Sequence, residues 1–146
     1  MGFQKVYQPL LSSKQDFANL ATVNLTAAQI QAMFATPVSL VAAPGANRVL
    51  VVDAILLRAR RTATAFTGGG ALSIRYHVTT GTVLATPAAT LLTGAAGTQD
   101  TLFGPNTGDP NGITLPENEG LDLTNLTGAF AAGTGTLSAY VWYHRL

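Results

Sequence analysis

The chain has 146 residues, of which only eight are Lys or Arg and seven Asp or Glu, giving a net charge of +1, and it contains no cysteine. Disulfide and thiolate–metal scaffolds are therefore excluded, and a net charge this small argues against the basic stripe of a nucleic-acid binder. Charged residues make up 10% of the chain, against about 25% in a typical soluble domain. Spread over the roughly 7,000 Å² that a folded monomer of this mass exposes, that is about one charge per 470 Å². So thin a cover suits burial against other subunits.

Residues 1–21 read as an N-terminal arm set apart from a domain spanning 22–146. The arm holds both lysines, Lys5 and Lys14, and is interrupted by Pro9. Phe3, Tyr7, Leu10, Leu11 and Phe17 are its candidate anchors on a neighbouring subunit, the alternative being a frayed terminus. No apolar run is long enough to span a membrane or to form a signal-peptide core, so a soluble protein made in the cytoplasm is expected.

From Thr22 the pattern sharpens. Thr22-Val23-Asn24-Leu25 is strand-like, and Thr26 with Gln29 forms a capping box for a two-turn helix. Ile30, Met33 and Phe34 recur at helical spacing and define its core face. Pro37 stops that helix, a strand follows over 37–42, and Pro44-Gly45 turns the chain. Residues 48–58 are apolar on both faces and rich in branched side chains. They predict a strand covered on both sides, in the sandwich centre or at a subunit contact, and long enough to bend or switch sheet.

After the loop at 62–70, Leu72, Ile74, Tyr76 and Val78 alternate with Ser73, Arg75, His77 and Thr79, and Gly81 leads into a returning strand. Residues 87–97 accommodate one helical turn. Short strands are expected at 101–103, 113–115 and 121–124, with a turn-rich loop at 104–112. The chain closes on Leu137, Ala139, Val141 and Tyr143 alternating with Ser138, Tyr140 and Trp142. About eight short strands with turns between them and one short helix predict an all-β, jelly-roll-like β-sandwich.

The residues capable of chemistry do not assemble into a site. His77 and His144 are the two histidines, and no pair has metal-ligand spacing. Ser73 and His77, four residues apart in a strand, would stand about 13 Å apart, too far for a nucleophile and its base. Glu117 and Glu119 flank a turn, where solvated carboxylates are the ordinary occupants. The loop at 106–112 offers oxygen ligands without the carboxylate density of an EF-hand. Gly68-Gly69-Gly70 lacks the Lys-Ser/Thr of a phosphate loop. Arg58, Arg60 and Arg61 form the one basic cluster and suit carboxylates across a subunit boundary. No catalytic, cofactor-binding or metal-ligating residue is assigned, and an enzyme is not expected.

One block, Leu25-Thr26-Ala27-Ala28-Gln29-Ile30 with Met33-Phe34-Ala35-Thr36-Pro37-Val38, Leu40-Val41-Ala42-Ala43-Pro44-Gly45-Ala46 and Val49-Leu50-Val51-Val52-Asp53, resembles small virion proteins of tailed bacteriophages. Phe66-Thr67-Gly68-Gly69-Gly70-Ala71-Leu72 and the ending Gly135-Thr136-Leu137 with Val141-Trp142-Tyr143 extend the resemblance over about residues 22–144. These proteins are capsid decoration (cement) or head-fibre proteins. The resemblance implies a β-sandwich that forms homotrimers on the outer capsid and clamps the major capsid protein, with no nucleic-acid or membrane partner. A fibre component that binds a host surface glycan is the alternative. That role would call for aromatic side chains on exposed loops, and Trp142 is the one tryptophan available.

Overall fold

The computed structural model describes residues 18–77, 81–104 and 114–146. Ten strands and two short helices are found among them: β1 (Asn19–Leu25), α1 (Ala27–Ala32), β2 (Val38–Val41), β3 (Leu50–Arg61), β4 (Thr67–Gly68) and β5 (Leu72–Tyr76), then β6 (Val83–Ala85), α2 (Thr90–Thr93), β7 (Gly97–Phe103), β8 (Leu121–Asn125), β9 (Phe130–Ala131) and β10 (Gly135–Arg145). Two four-stranded antiparallel sheets, ordered β1-β10-β3-β7 and β2-β8-β5-β6, face each other, and β4 and β9 form a separate two-residue ribbon. Without that ribbon the eight main strands pair from the outside inward. The first joins the last (β1 with β10), then β2 joins β8, β3 joins β7, and β5 joins β6. This is one long hairpin rolled over itself, closed by β10 against β3 and β8 against β5. It is the jelly-roll arrangement expected from the strand spacing.

The core lies between the sheets. Leu25, Ile55, Leu57, Leu137 and Val141 from the first sheet meet Leu72, Ile74, Tyr76, Leu121 and Leu123 from the second, each at most 1% exposed. Full burial of such side chains stabilises the fold by about 1.5–3 kcal/mol each. Phe66 and Phe130, both buried, close one end edge-to-face with ring centroids 6.2 Å apart. Gly69 makes this possible. Its φ is +73°, and a Cβ there would fall 2.3 Å from the Phe130 ring.

The capping box forms as expected. The Gln29 N–H donates to Thr26 Oγ1, and the Thr26 N–H donates to Gln29 Oε1 at 3.0 Å. Ile30 and Met33 are fully buried, but Phe34 is 45% exposed. The helix ends at Ala32, where the Ala35 and Thr36 N–H groups both return to its carbonyl. Phe34 therefore leaves the helical period before it can reach the core.

Other expectations differ from the structure. β1 starts at Asn19, paired with Tyr143, three residues before the strand expected from Thr22. The long strand bends at a bulge and stays in one sheet, and the described residues cover one of its faces. Val52 sits opposite Tyr143 and Ala54 opposite Trp142, leaving Asp53 as a bulged residue. Before the bulge Leu50 and Val52 face the core, and after it Ile55, Leu57 and Ala59 do. Val51, Ala54 and Leu56 lie on the outer face, so the strand is apolar on both sides, with the parity shifting at the bulge. In β5 the alternation holds for direction and fails for solvent, because Ser73 and Arg75 are buried as well. The Arg75 guanidinium donates to Ser73 Oγ through Nε (3.1 Å) and Nη2 (3.0 Å). Next to them, Thr124 Oγ1 donates to the Met33 carbonyl at 3.1 Å. Residues 114–115 form no strand, and 101–103 belong to the longer β7.

Candidate functional site

The registers of the first sheet set its outward-facing residues in rows. Leu20, Trp142 and Ala54 form the first row, and Thr22, Tyr140, Leu56 and Leu102 the second. Asn24, Ser138, Arg58 and Asp100 form the third, then Thr136, Arg60 and Thr98 the fourth. All of these point away from the buried set because side chains alternate along each strand.

The rows differ in chemistry. Leu20 is 54% exposed and Leu102 68%, with Trp142, Tyr140, Ala54 and Leu56 half-buried between them. The third row pairs internally: Ser138 Oγ donates to Asn24 Oδ1 at 2.6 Å, and Arg58 donates to Asp100 through Nε and Nη2, both at 2.8 Å. That fork raises the Arg58 pKa and holds the Asp100 carboxyl below its ordinary value, the hydrogen bond between them being the main cause in each case. The fourth row has an exposed arginine and two threonines. The outer face thus runs from apolar at the Leu20 end to cationic and hydroxylated at the Arg60 end.

Each sequence-derived candidate can now be placed. Phe3, Tyr7, Leu10, Leu11 and Phe17 lie outside the described residues, as does the loop at 106–112. Arg58 is matched within the chain by Asp100. Arg61 points to the opposite side, where Nη1 donates to the Thr90 and Leu91 carbonyls (3.0 and 3.1 Å) and to Gln99 Oε1 (2.6 Å). It ties α2 to the sheet. Arg60 makes no ion pair or hydrogen bond among the described residues. The three arginines therefore hold three different positions, although the sequence presents them as one cluster.

The carboxylates of the 117–119 turn serve the fold. Glu117 Oε1 accepts from the Asn47 N–H at 2.7 Å, Asn118 Oδ1 accepts from the Gly45 N–H at 3.0 Å, and Glu119 pairs with His77 at 2.9 Å. His144 pairs with Asp53 at 2.8 Å, next to the bulge. No group of three or more His, Asp or Glu side chains fit to hold a metal ion occurs among the described residues. Nor is any helix among them long and apolar enough to cross a membrane. Trp142, the one tryptophan, stands within β10 and not on a loop.

Sequence alternation predicted which residues of β10 face outward. It could not set Leu20 and Leu102 in line with them, because that alignment depends on pairing four strands distant in sequence. No family model, curated protein or solved structure matches this chain.

Proposed function

We propose that this chain is a structural virion protein, a capsid decoration (cement) protein of a tailed bacteriophage that binds the outer surface of the head as a homotrimer and stabilises the shell. The observation that carries the reading is the pair of apolar rows on the outer face of the first sheet. Leu20, Trp142, Ala54, Tyr140, Leu56 and Leu102 lie side by side across four strands. Contiguous apolar surface on a charge-poor protein favours protein–protein contact.

Among the described residues, β1 and β7 are the edges of the first sheet. β1 and β7 each run seven residues, and neither contains Lys, Pro or a bulge. Those are common guards against edge-to-edge association, and Asp100, paired with Arg58, is the one charge on either strand. The phage capsid as partner rests on the resemblance of residues 22–144 to decoration and head-fibre proteins. A protein that binds only the assembled shell stabilises it by mass action, and many copies on a symmetric shell add their contacts through multivalency.

The test is light scattering of the purified protein, followed by cryo-electron microscopy of expanded capsids incubated with it. A trimer and added density on the capsid exterior are expected, with both lost in a Leu56→Asp, Leu102→Asp variant that still melts cooperatively. A protein that stays monomeric and leaves capsids bare overturns the reading.

A further inference from the structure

At the Arg60 end of the first sheet, beyond the apolar rows, lies a cleft of about 340 Å³ lined by Arg60, Arg61, Thr62, Gly97, Thr98, Gly135 and Thr136. That volume is at the small end of ligand pockets. No carboxylate is among its walls, which leaves the cationic charge uncompensated.

The geometry is that of a prepared site. Gly135 and Gly97 flank Arg61 on the two neighbouring strands, so bare backbone borders it on both sides. Gly135 has φ of +144°, and a Cβ there would meet the Arg60 carbonyl at 2.4 Å. The Arg61 guanidinium is fixed by its three acceptors on one nitrogen, while its Nε is buried with no hydrogen-bond partner. A Cβ on Gly94 would fall 2.7 Å from Arg61 Nη1, so the lack of a side chain there makes room for that guanidinium. Arg60 stands between Thr98 and Thr136, whose hydroxyls can each donate and accept. The nearest carboxylate along β7, Asp100, is held by Arg58.

From this we infer that the cleft binds an acidic saccharide unit, a sugar carrying one carboxylate such as a uronic acid. Arg60 takes the carboxylate through its planar fork of donors, Arg61 adds positive potential from the wall, and the threonine hydroxyls exchange hydrogen bonds with the ring hydroxyls. A bare inorganic anion would use the charge and leave the hydroxyl-lined volume empty. A hydroxyl-rich ligand with a single negative charge uses both.

The experiment is amide and arginine-side-chain NMR of the full chain, titrated with glucuronate, glucose and sodium sulfate at equal ionic strength. Saturable shifts at Gly97, Thr98, Gly135 and Arg60 are expected with glucuronate, at least tenfold weaker with glucose and sulfate. Arg60→Gln should abolish them, with an otherwise unchanged spectrum and unchanged capsid binding. If sulfate moves the same amides as strongly as glucuronate, the cleft reads charge alone and the saccharide assignment fails. Absence of saturable shifts, or their survival in Arg60→Gln, also overturns it. Should Arg60→Gln instead abolish trimer formation or capsid binding, the cleft is a subunit contact and the proposal is wrong, while the decoration reading stands.

Discussion

Arg58 and Asp100 face each other across β3 and β7, joined by two parallel N–H···O bonds of 2.8 Å. The pair is half exposed, with 43% of each side chain open to solvent, so its effect on stability is small and sensitive to salt. The Asp100 carboxyl titrates below its ordinary value because Arg58 hydrogen-bonds the ionised form. Its contribution is therefore present above the unfolded carboxylate pKa and lost as pH falls through the lowered one. Asp100→Asn should lower the melting temperature slightly at pH 7 and not at all below that range. The difference should shrink in 1 M NaCl. Thermal melts at pH 7 and at successively lower pH check this, and a deficit that stays constant as pH falls would assign the loss to packing.

Tyr76 is 1% exposed, and its hydroxyl donates to the Leu50 carbonyl at 2.9 Å, linking β5 of the second sheet to β3 of the first. Tyr76→Phe leaves that carbonyl buried without its donor, at a cost of about 1–3 kcal/mol. Burial pushes the phenol up to about 12. An unfolded tyrosine releases its proton near pH 10 while the folded one keeps it, so stability falls as pH rises from about 10 to about 12, by on the order of 2–3 kcal/mol. Urea unfolding between pH 8 and 11.5 should show this decline in the parent and a shallower one in Tyr76→Phe. Parallel curves would sink the assignment.

Asp122 behaves oppositely to Asp100. It is 9% exposed in the centre of β8, and burial raises its pKa, a hydrogen bond with Ser39 opposing the shift. A carboxyl with a raised folded pKa binds its proton more tightly folded than unfolded. Stability therefore falls as pH rises from the unfolded value through the folded one. Asp122→Asn removes the desolvation of the charge, and its amide oxygen can still accept from Ser39. The variant is expected to melt higher than the parent at pH 7, and the gain should vanish near pH 3. A lower melting temperature at pH 7 would mean that the carboxylate has a partner the amide cannot replace.

Much of the fold could be read locally. The Thr26–Gln29 capping box and the alternation through β10 each depend on residues close in sequence, and each forms as expected. What failed locally was decided by distant partners. The place where β3 bends was not legible, because the bulge at Asp53 is visible only against Trp142 and Tyr143. Phe34 looked like a core residue because helical spacing takes no account of where the helix ends. The three arginines formed one cluster in sequence and three roles in space, since Asp100, α2 and open solvent lie in different directions from one strand end. The apolar rows were hidden for the same reason: Leu20 and Leu102 come into line only through β10 and β3.

Gly69 offers a test of how tightly the end of the sandwich is closed. Its φ of +73° lies in the left-handed region, and a Cβ would sit 2.3–2.7 Å from three atoms of the Phe130 ring. Phe130 is 2% exposed and packs edge-on against Phe66, so it has little room to retreat. Gly45 is the matched control: φ is +106°, and nothing lies within 4 Å of a Cβ there. Gly45→Ala should carry only the backbone penalty, about 1–2 kcal/mol. Gly69→Ala should add the cost of overpacking, about 1–3 kcal/mol. Urea denaturation of both variants measures the difference. A loss at Gly69 no greater than at Gly45 would show that the Phe66–Phe130 pair yields, and that this end of the jelly roll is softer than its burial implies.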